Sequence, residues 1–78
     1  MEITFSAHAR HRMEERTITE EEIHLALESP QKEATEGDTD VAMRLRQNGH
    51  LLIVIYQRNE NAYHVITVID TSKVHKYL

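Results

Sequence analysis

The sequence predicts an α+β domain in which two N-terminal helices pack on one face of a small antiparallel sheet, in the order β-α-α-β-β-β. A helical pattern with capping signals occupies residues 6–30. Three strand-like runs follow, and Asn48-Gly49, a dipeptide typical of tight hairpins, separates the first two. The chain has 78 residues without a repeat or a linker, so we expect residues 1–78 to form a single domain.

Residues 2–5 alternate polar and apolar side chains and predict a short first strand. Ser6 is a candidate N-cap, because its hydroxyl can accept a hydrogen bond from a free backbone N–H of a first helical turn. The helix that it begins is expected over residues 7–16. On a helical wheel Arg16 points into the middle of an apolar stripe. That stripe consists of Phe5, Ala9 and Met13.

The second helix has the clearer start signal. Thr19-Glu-Glu-Glu22 is a capping box, in which the Thr19 side chain caps the backbone N–H of Glu22 and the Glu22 carboxylate reaches back. The helix is expected to end at Ser29-Pro30, since the residue before a proline avoids α-helical backbone angles. Its predicted buried face consists of Ile23, Ala26 and Leu27.

Three strands are expected after the helices, over residues 40–47, 50–57 and 63–70, and residues 33–36 allow a further short strand. Residues 51–56 are apolar or aromatic at both odd and even positions, which is typical of a strand covered on both faces. If Asn48 and Gly49 are the two residues of a type I′ turn, Leu45 pairs with Leu52 and Met43 pairs with Val54.

This register divides the side chains between two sheet faces. The predicted core face carries Val41, Met43, Leu45, Leu52, Val54 and Tyr56. On the opposite face two arginines lie beside an apolar stripe, and we interpret that face as a working or partner-binding surface. It carries Ala42, Arg44, Arg46, Leu51, Ile53 and Ile55.

Charge is unevenly distributed along the chain. The formal net charge is −4, yet residues 19–40 alone carry one lysine against eight carboxylates, a net −7. Residues 1–18 are balanced with three charges of each sign, and residues 41–78 carry five basic and two acidic groups, a net +3. A net acidic chain is unfavourable for non-specific nucleic-acid binding, but a basic patch on the sheet remains compatible with this distribution.

The sequence argues against several classes of protein and of binding site. Cysteine is absent, so disulfides and thiolate metal sites are excluded. No apolar run approaches the roughly 20 residues that span a bilayer, and residues 1–5 lack the basic and apolar regions of a signal peptide. We therefore expect a cytoplasmic protein without a membrane partner. His8 and His11 could share a metal, but no third ligand is spaced near them, so we expect neither metal nor other cofactor.

The N-terminal residues resemble a family of small bacterial, archaeal and phage proteins called domain of unknown function 4258. The matching residues are Phe5-Ser-Ala-His-Ala9, Arg12-Met13, Arg16, Ile18, Glu21-Glu22-Ile23, Ala26-Leu27 and Pro30. The second half is similar too, through the strand arginines, the apolar strand that ends in Tyr56, and Val65-Ile-Thr-Val68 before Thr71-Ser-Lys73. This family is thought to be similar to RelE/ParE-like toxins and to a fold of metal-independent ribonucleases. The resemblance implies cleavage of RNA by attack of a ribose 2′-hydroxyl on the adjacent phosphate.

Within that implied chemistry, His8 is the leading candidate for the acid or base, because an imidazole exchanges protons near neutral pH. Arg12 lies one helical turn away and could hold the phosphate, or it could instead pair with Glu15 or Glu22. Arg16 is either a third catalytic residue or a member of a buried ion pair.

Four strand residues are candidates for binding phosphate or RNA. Arg44 and Arg46 are expected about 7 Å apart on one face, which suits successive phosphates or an acidic partner such as an antitoxin segment. Tyr56 and Thr67 could donate hydrogen bonds to a phosphate or stack on a base, although both are also ordinary strand residues.

Two hypotheses follow for the function. The first is a RelE-like ribonuclease toxin that binds RNA and cleaves it without a metal. The second is a non-enzymatic protein-binding module, or a homodimeric small protein, on the same fold. Whether the chain is an enzyme stays open between them, and so does its partner: RNA, an antitoxin-like protein or a second copy.

Overall fold

The computed structural model describes residues 1–78 and contains five strands, two α-helices and a short 3₁₀ helix. The α+β class, with two helices ahead of an antiparallel meander, is confirmed, and residues 32–36 form the further strand that the sequence allowed. In chain order the elements are β1 (Glu2–Phe5), α1 (Ala7–Arg16), α2 (Glu20–Glu28), β2 (Lys32–Glu36), β3 (Thr39–Leu45), β4 (Leu51–Asn59), β5 (Ala62–Thr71) and η1 (Val74–Lys76).

The strands form one mixed sheet in the order β1-β5-β4-β3-β2. β1 pairs with β5 in parallel, with Phe5 opposite Val65, whereas the other neighbours are antiparallel. The expectation of a purely antiparallel sheet therefore needs one correction, at the β1 edge. The physical reason is the helical connection, because a parallel pair needs a long crossover, and the two helices provide one between β1 and the meander.

Both helices begin where local capping predicts. The Ser6 hydroxyl accepts a hydrogen bond from the backbone N–H of Ala9 at 2.9 Å, and it donates one to the carbonyl of Ile66 at 2.6 Å. One side chain thus caps α1 and attaches its start to β5. The capping box of Thr19 and Glu22 is also present at the start of α2.

The loop between β3 and β4 differs from the predicted type I′ turn. The backbone N–H of Gly49 donates to the carbonyl of Arg46 at 3.0 Å, and the N–H of Arg46 donates to the carbonyl of His50 at 2.8 Å. Gly49 has a φ of +87°, whereas Asn48 is not among the residues with positive φ. A type I′ turn needs positive φ at both positions, so the chain forms a three-residue loop with glycine in the left-handed position.

This loop shifts the register of β3 by one residue. Leu45 pairs with Leu51 and Met43 with Ile53, so the predicted pairing of Leu45 with Leu52 was wrong. A shift of one residue moves every side chain of a strand to the other face. The predicted core face is therefore right for β4 and wrong for β3. Under the helices the sheet contributes Ala42, Leu52, Val54, Tyr56, Tyr63, Val65 and Val68 to the core.

The sheet face away from the helices, called here the second face, holds a smaller apolar cluster. Its buried members are Val41, Leu51 and Ile53. The C-terminal segment partly covers this cluster, because Val74 and Tyr77 pack against it. The second face is thus closed from within the chain at one end, and it does not carry the two arginines that were predicted for it.

The positive φ of Gly49 predicts the effect of replacing this glycine. A Cβ at position 49 would meet no atom within 4 Å, so Gly49→Ala should act only through the left-handed backbone. We expect a loss of about 1 kcal/mol in the free energy of unfolding, measured by urea denaturation. Gln47→Ala, in the same exposed loop, is the control and should change stability by less than about 0.5 kcal/mol. Equal losses in both variants would contradict the role of φ.

Candidate functional site

Three basic side chains form a row along α1. His8, Arg12 and Arg16 are spaced four residues apart, which places them on successive turns of one side of the helix. His8 and Arg16 are exposed, and Arg12 is half-buried. None of the three side chains forms a hydrogen bond or an ion pair with the rest of the chain. We call these residues the α1 row.

The position of Arg16 corrects the prediction that it points into the core. Only Ala9 and Met13 of α1 are buried, and the helix ends at Arg16. The next residue, Thr17, leaves the helix with left-handed backbone angles, φ 53° and ψ 47°. The apolar stripe therefore stops one turn before the helix does, and the Arg16 side chain extends beyond the packed region.

The carboxylates considered as partners for Arg12 are used elsewhere. Glu15 lies 3.7 Å from His11, and Glu22 pairs with Arg46. Arg10, on another side of α1, pairs with Glu20 and stacks over Phe5. Of the basic groups of α1, Arg10 and His11 thus have carboxylate neighbours, and the α1 row is unpaired.

The Arg46 side chain is held in place by hydrogen bonds to other parts of the fold. It is only 10% exposed, and its five N–H groups all donate hydrogen bonds within the chain. Two go to the Glu22 carboxylate, one to the Asp70 carboxylate, and two to the backbone carbonyls of Arg16 and Thr17. Arg46 therefore has no free donor for an external phosphate while this arrangement persists.

Two carboxylates and one histidine surround Arg46. We call the four residues together the Arg46 cluster: Arg46, Glu22, Asp70 and His50. The Nδ1–H of His50 donates to the second oxygen of Asp70 at 2.7 Å. Asp70 is only 7% exposed, and both of its carboxylate oxygens are engaged. The cluster joins the end of α1, the start of α2, the β3–β4 loop and the end of β5.

The pKa values in the cluster reflect these contacts. The hydrogen bond from Arg46 lowers the pKa of the Glu22 carboxyl, and burial opposes this effect only in part. Burial on its own would raise the pKa of Asp70, but the hydrogen bonds and charges of His50 and Arg46 outweigh it, so that pKa is lowered. The pKa of Arg46 is raised, chiefly by its hydrogen bonds to Glu22. All three groups are therefore held in their charged forms.

Arg44, like Arg46, lies on the helix side of the sheet and not on the second face for which both were predicted. It lies within β3, opposite Leu52 and on the helix side, and its Nη1 donates to the carbonyl of Ser29 at 2.6 Å. Arg46 lies beyond the end of β3. Arg44 therefore caps the end of α2, since free carbonyls at a helix C-terminus attract cations.

Tyr56 and Thr67 lie apart from the α1 row. Tyr56 is buried beneath the helices, with its ring centroid 5.5 Å from that of Tyr63, and burial is the main cause of its raised pKa. Thr67 pairs with Ile55, which packs against the second face. Paired residues share a sheet face, so Thr67 lies on the side opposite to α1.

The seven predicted site residues thus separate into groups. The three predicted catalytic residues lie along the α1 row. Of the four predicted phosphate-binding residues, Arg44 and Arg46 line one cleft, and Arg46 also contacts the backbone carbonyl of Arg16. Tyr56 and Thr67 lie on opposite faces of the sheet. Sequence reasoning missed the partners Glu22, Asp70 and His50 of Arg46. The one available signal was Asp70, a carboxylate directly after the apolar run of β5, where an ionised group needs a partner.

A cleft of about 860 Å³ opens between the start of α2 and the end of β3. Its wall includes the three first-turn glutamates of α2, Glu20, Glu21 and Glu22, and two arginines, Arg44 and Arg46, of which Arg46 is already paired with Glu22. The negative charge of those glutamates repels phosphate, so this cleft is a poor candidate for binding RNA.

No helix is long and apolar enough to cross a membrane. No three His, Asp or Glu side chains are placed to bind one metal ion together.

Comparison with known proteins identifies one family. A family model described as "Domain of unknown function (DUF4258)" matches residues 5–70. The matched span includes the α1 row and the other four predicted site residues. No curated protein and no solved structure matches the chain.

Arg46→Lys tests the structural role of the guanidinium. A lysine has three N–H donors on one nitrogen and cannot reproduce the planar five-donor pattern. We expect the free energy of unfolding to fall by about 3 kcal/mol, measured by urea denaturation. The matched control is Arg44→Lys, because Arg44 donates a single hydrogen bond, and it should lose less than about 1 kcal/mol. Comparable losses in the two variants would contradict this role.

The lowered pKa of Asp70 predicts a specific dependence on pH. A carboxyl whose folded pKa lies below its unfolded value stabilises the fold above the unfolded pKa and loses that contribution as pH falls through the folded pKa. The difference in unfolding free energy between wild type and Asp70→Asn should therefore have its full value above about pH 5 and should decrease as the pH falls below about 4. Glu20→Gln, at an exposed ion pair, should show little such dependence. A constant difference across this range would refute the assignment.

Proposed function

The chain belongs to the domain of unknown function 4258 family (DUF4258), and we propose that it is a RelE-like ribonuclease that cleaves RNA without a metal ion. The observation that carries this proposal is the α1 row. Unpaired basic side chains on successive helical turns offer a phosphate chain several cationic contacts along one line. A histidine at one end adds a group that can transfer protons.

In a transphosphorylation, each residue of the α1 row has a separate role. The ribose 2′-oxygen bonds to phosphorus while the bond from phosphorus to the 5′-oxygen breaks, which leaves a 2′,3′-cyclic phosphate and a 5′-hydroxyl. His8 accepts the proton of the 2′-hydroxyl or supplies the proton that the 5′-oxygen takes up. Arg12, one turn away, stabilises the extra negative charge on the phosphoryl oxygens. Arg16 contacts the next part of the RNA backbone.

A second candidate function is a non-enzymatic binding module. One observation favours it: Arg46 has no free N–H, and Arg44 is bonded to the end of α2. Arg46 therefore adds no free donor to the α1 row for holding the scissile phosphate, and Arg44 lies at the other end of α2 from Arg46. In a binding module the same row would contact an acidic protein segment, such as an antitoxin-like partner, and His8 would have no chemical role.

The proposal is tested by incubating the protein with total RNA in excess EDTA and mapping the product ends. We expect products with 2′,3′-cyclic phosphates, and a loss of at least about 100-fold in cleavage rate for His8→Ala. His11→Ala is the matched control, because His11 is exposed on the same helix outside the α1 row. It should cleave at the wild-type rate. The unfolding free energies of both variants should equal that of wild type.

Two outcomes would contradict the ribonuclease. Intact RNA with the folded wild-type protein, both free and on ribosomes, rejects it. Equal rates for His8→Ala and wild type reject His8 as the proton-transfer group. The binding module predicts in addition that an acidic peptide binds His8→Ala as it binds wild type, and that Arg12→Glu abolishes this binding.

A further inference from the structure

β2 is an open edge of the sheet. It pairs only with β3, and its five residues are all exposed, so no helix or loop covers its outer side. An uncovered edge strand presents unpaired backbone N–H and C=O groups that can pair with another strand. Proteins block such edges with charged side chains, and β2, which reads Lys-Glu-Ala-Thr-Glu, carries three of them.

The charges of β2 are arranged to complement a second copy. When two β2 strands pair antiparallel with Ala34 at the centre, the residue numbers of any two opposed residues add up to 68. Lys32 then faces Glu36 of the second copy, and Glu36 faces its Lys32. Glu33 faces Thr35, and the two Ala34 residues face each other. Opposed side chains share a face, so this register creates two cross-strand ion pairs and no clash of like charges.

Two neighbouring arrangements lack this property. Pairing about Glu33 places that glutamate directly opposite its own copy, which is unfavourable. Parallel pairing in register aligns the acidic ends of both strands, including Glu36 and Asp38. The antiparallel register about Ala34 separates those ends, because Asp38 of one copy then lies opposite Pro30 of the other. Pairing about Thr35 places Lys32 opposite Asp38, which lies beyond the end of β2. The antiparallel register about Ala34 is therefore the one that forms both ion pairs between residues of the two β2 strands.

The second face continues across the same junction. Ala34 pairs with Val41 of β3, and Val41 belongs to the apolar cluster of that face. In the antiparallel register the two alanines extend these clusters into one apolar strip between the ion pairs. Lys32 already donates to the carbonyl of Tyr77 at 2.6 Å, and its ammonium keeps two further N–H groups for Glu36 of the other copy.

We propose that β2 is a homodimerisation edge, at which two copies of this chain join their sheets antiparallel about Ala34 with reciprocal Lys32–Glu36 pairs. Each sheet of five strands then becomes half of a continuous sheet of ten. The contact consists of one short strand per copy, which is smaller than the surface buried in stable dimers, so the association is weak.

Sedimentation equilibrium of the full chain from roughly 10 μM to 1 mM tests this dimer. We expect the mass to rise with concentration from 9.1 kDa towards about twice that value. Lys32→Glu and Glu36→Lys each place like charges opposite each other and should weaken association at least about fivefold. The double variant restores opposite charges and should dimerise as wild type does. Lys73→Glu, an equal change of charge outside β2, is the control and should leave association unchanged.

Three results would overturn the proposal. The first is a wild-type protein that stays at 9.1 kDa up to about 1 mM. The second is unchanged association in both single variants. The third is a double variant that does not recover, because only reciprocal pairing predicts rescue. Circular dichroism of each variant establishes that its fold is intact, and the double variant distinguishes a lost ion pair from damage to β2.

Discussion

The guanidinium of Arg46 is the interaction on which the arrangement of helices and sheet depends. It lies between the end of α1, the start of α2 and the end of β5, and it donates hydrogen bonds to all three. The carbonyls of Arg16 and Thr17 would otherwise remain without partners where α1 ends. A small domain has a small core, so a charged group with all five donors engaged makes a large contribution to fixing its parts.

This structural use of Arg46 limits where chemistry can occur. An arginine whose donors are occupied and whose side chain is mostly buried cannot also bind a substrate phosphate without breaking the cluster. Arg44 is engaged as well, at the end of α2. The free basic groups that lie together are therefore on α1, outside the sheet. The sequence analysis placed three catalytic residues on α1 and four phosphate-binding residues on the sheet, and the proposed chemistry rests on the α1 residues.

Elements fixed by local interactions were predictable from the sequence, and those fixed by distant contacts were not. Ser6 and Thr19 cap their helices through residues three positions away, so the helix bounds were predicted closely. The β3–β4 register depended on whether one or two loop residues take positive φ, which Asn-Gly leaves open. The partners of Arg46 lie up to 30 residues away in the chain, and no spacing rule connects them. The α1 row could be predicted because helical spacing alone places its members together.

The acidic segment 19–40 does not oppose the proposed chemistry as strongly as its net charge suggests. Glu22 is paired with Arg46, which also pairs with Asp70, and Glu20 is paired with Arg10. Charges that are paired within a few ångströms contribute little to the field at larger distances, and salt screens the remainder. The carboxylates outside these pairs include Glu33 and Glu36 of β2, at the sheet edge farthest from β1 and β5, and α1 packs over β5. The local field at the α1 row is therefore set by its own arginines together with the α1 carboxylates Glu14 and Glu15, more than by the acidic segment 19–40.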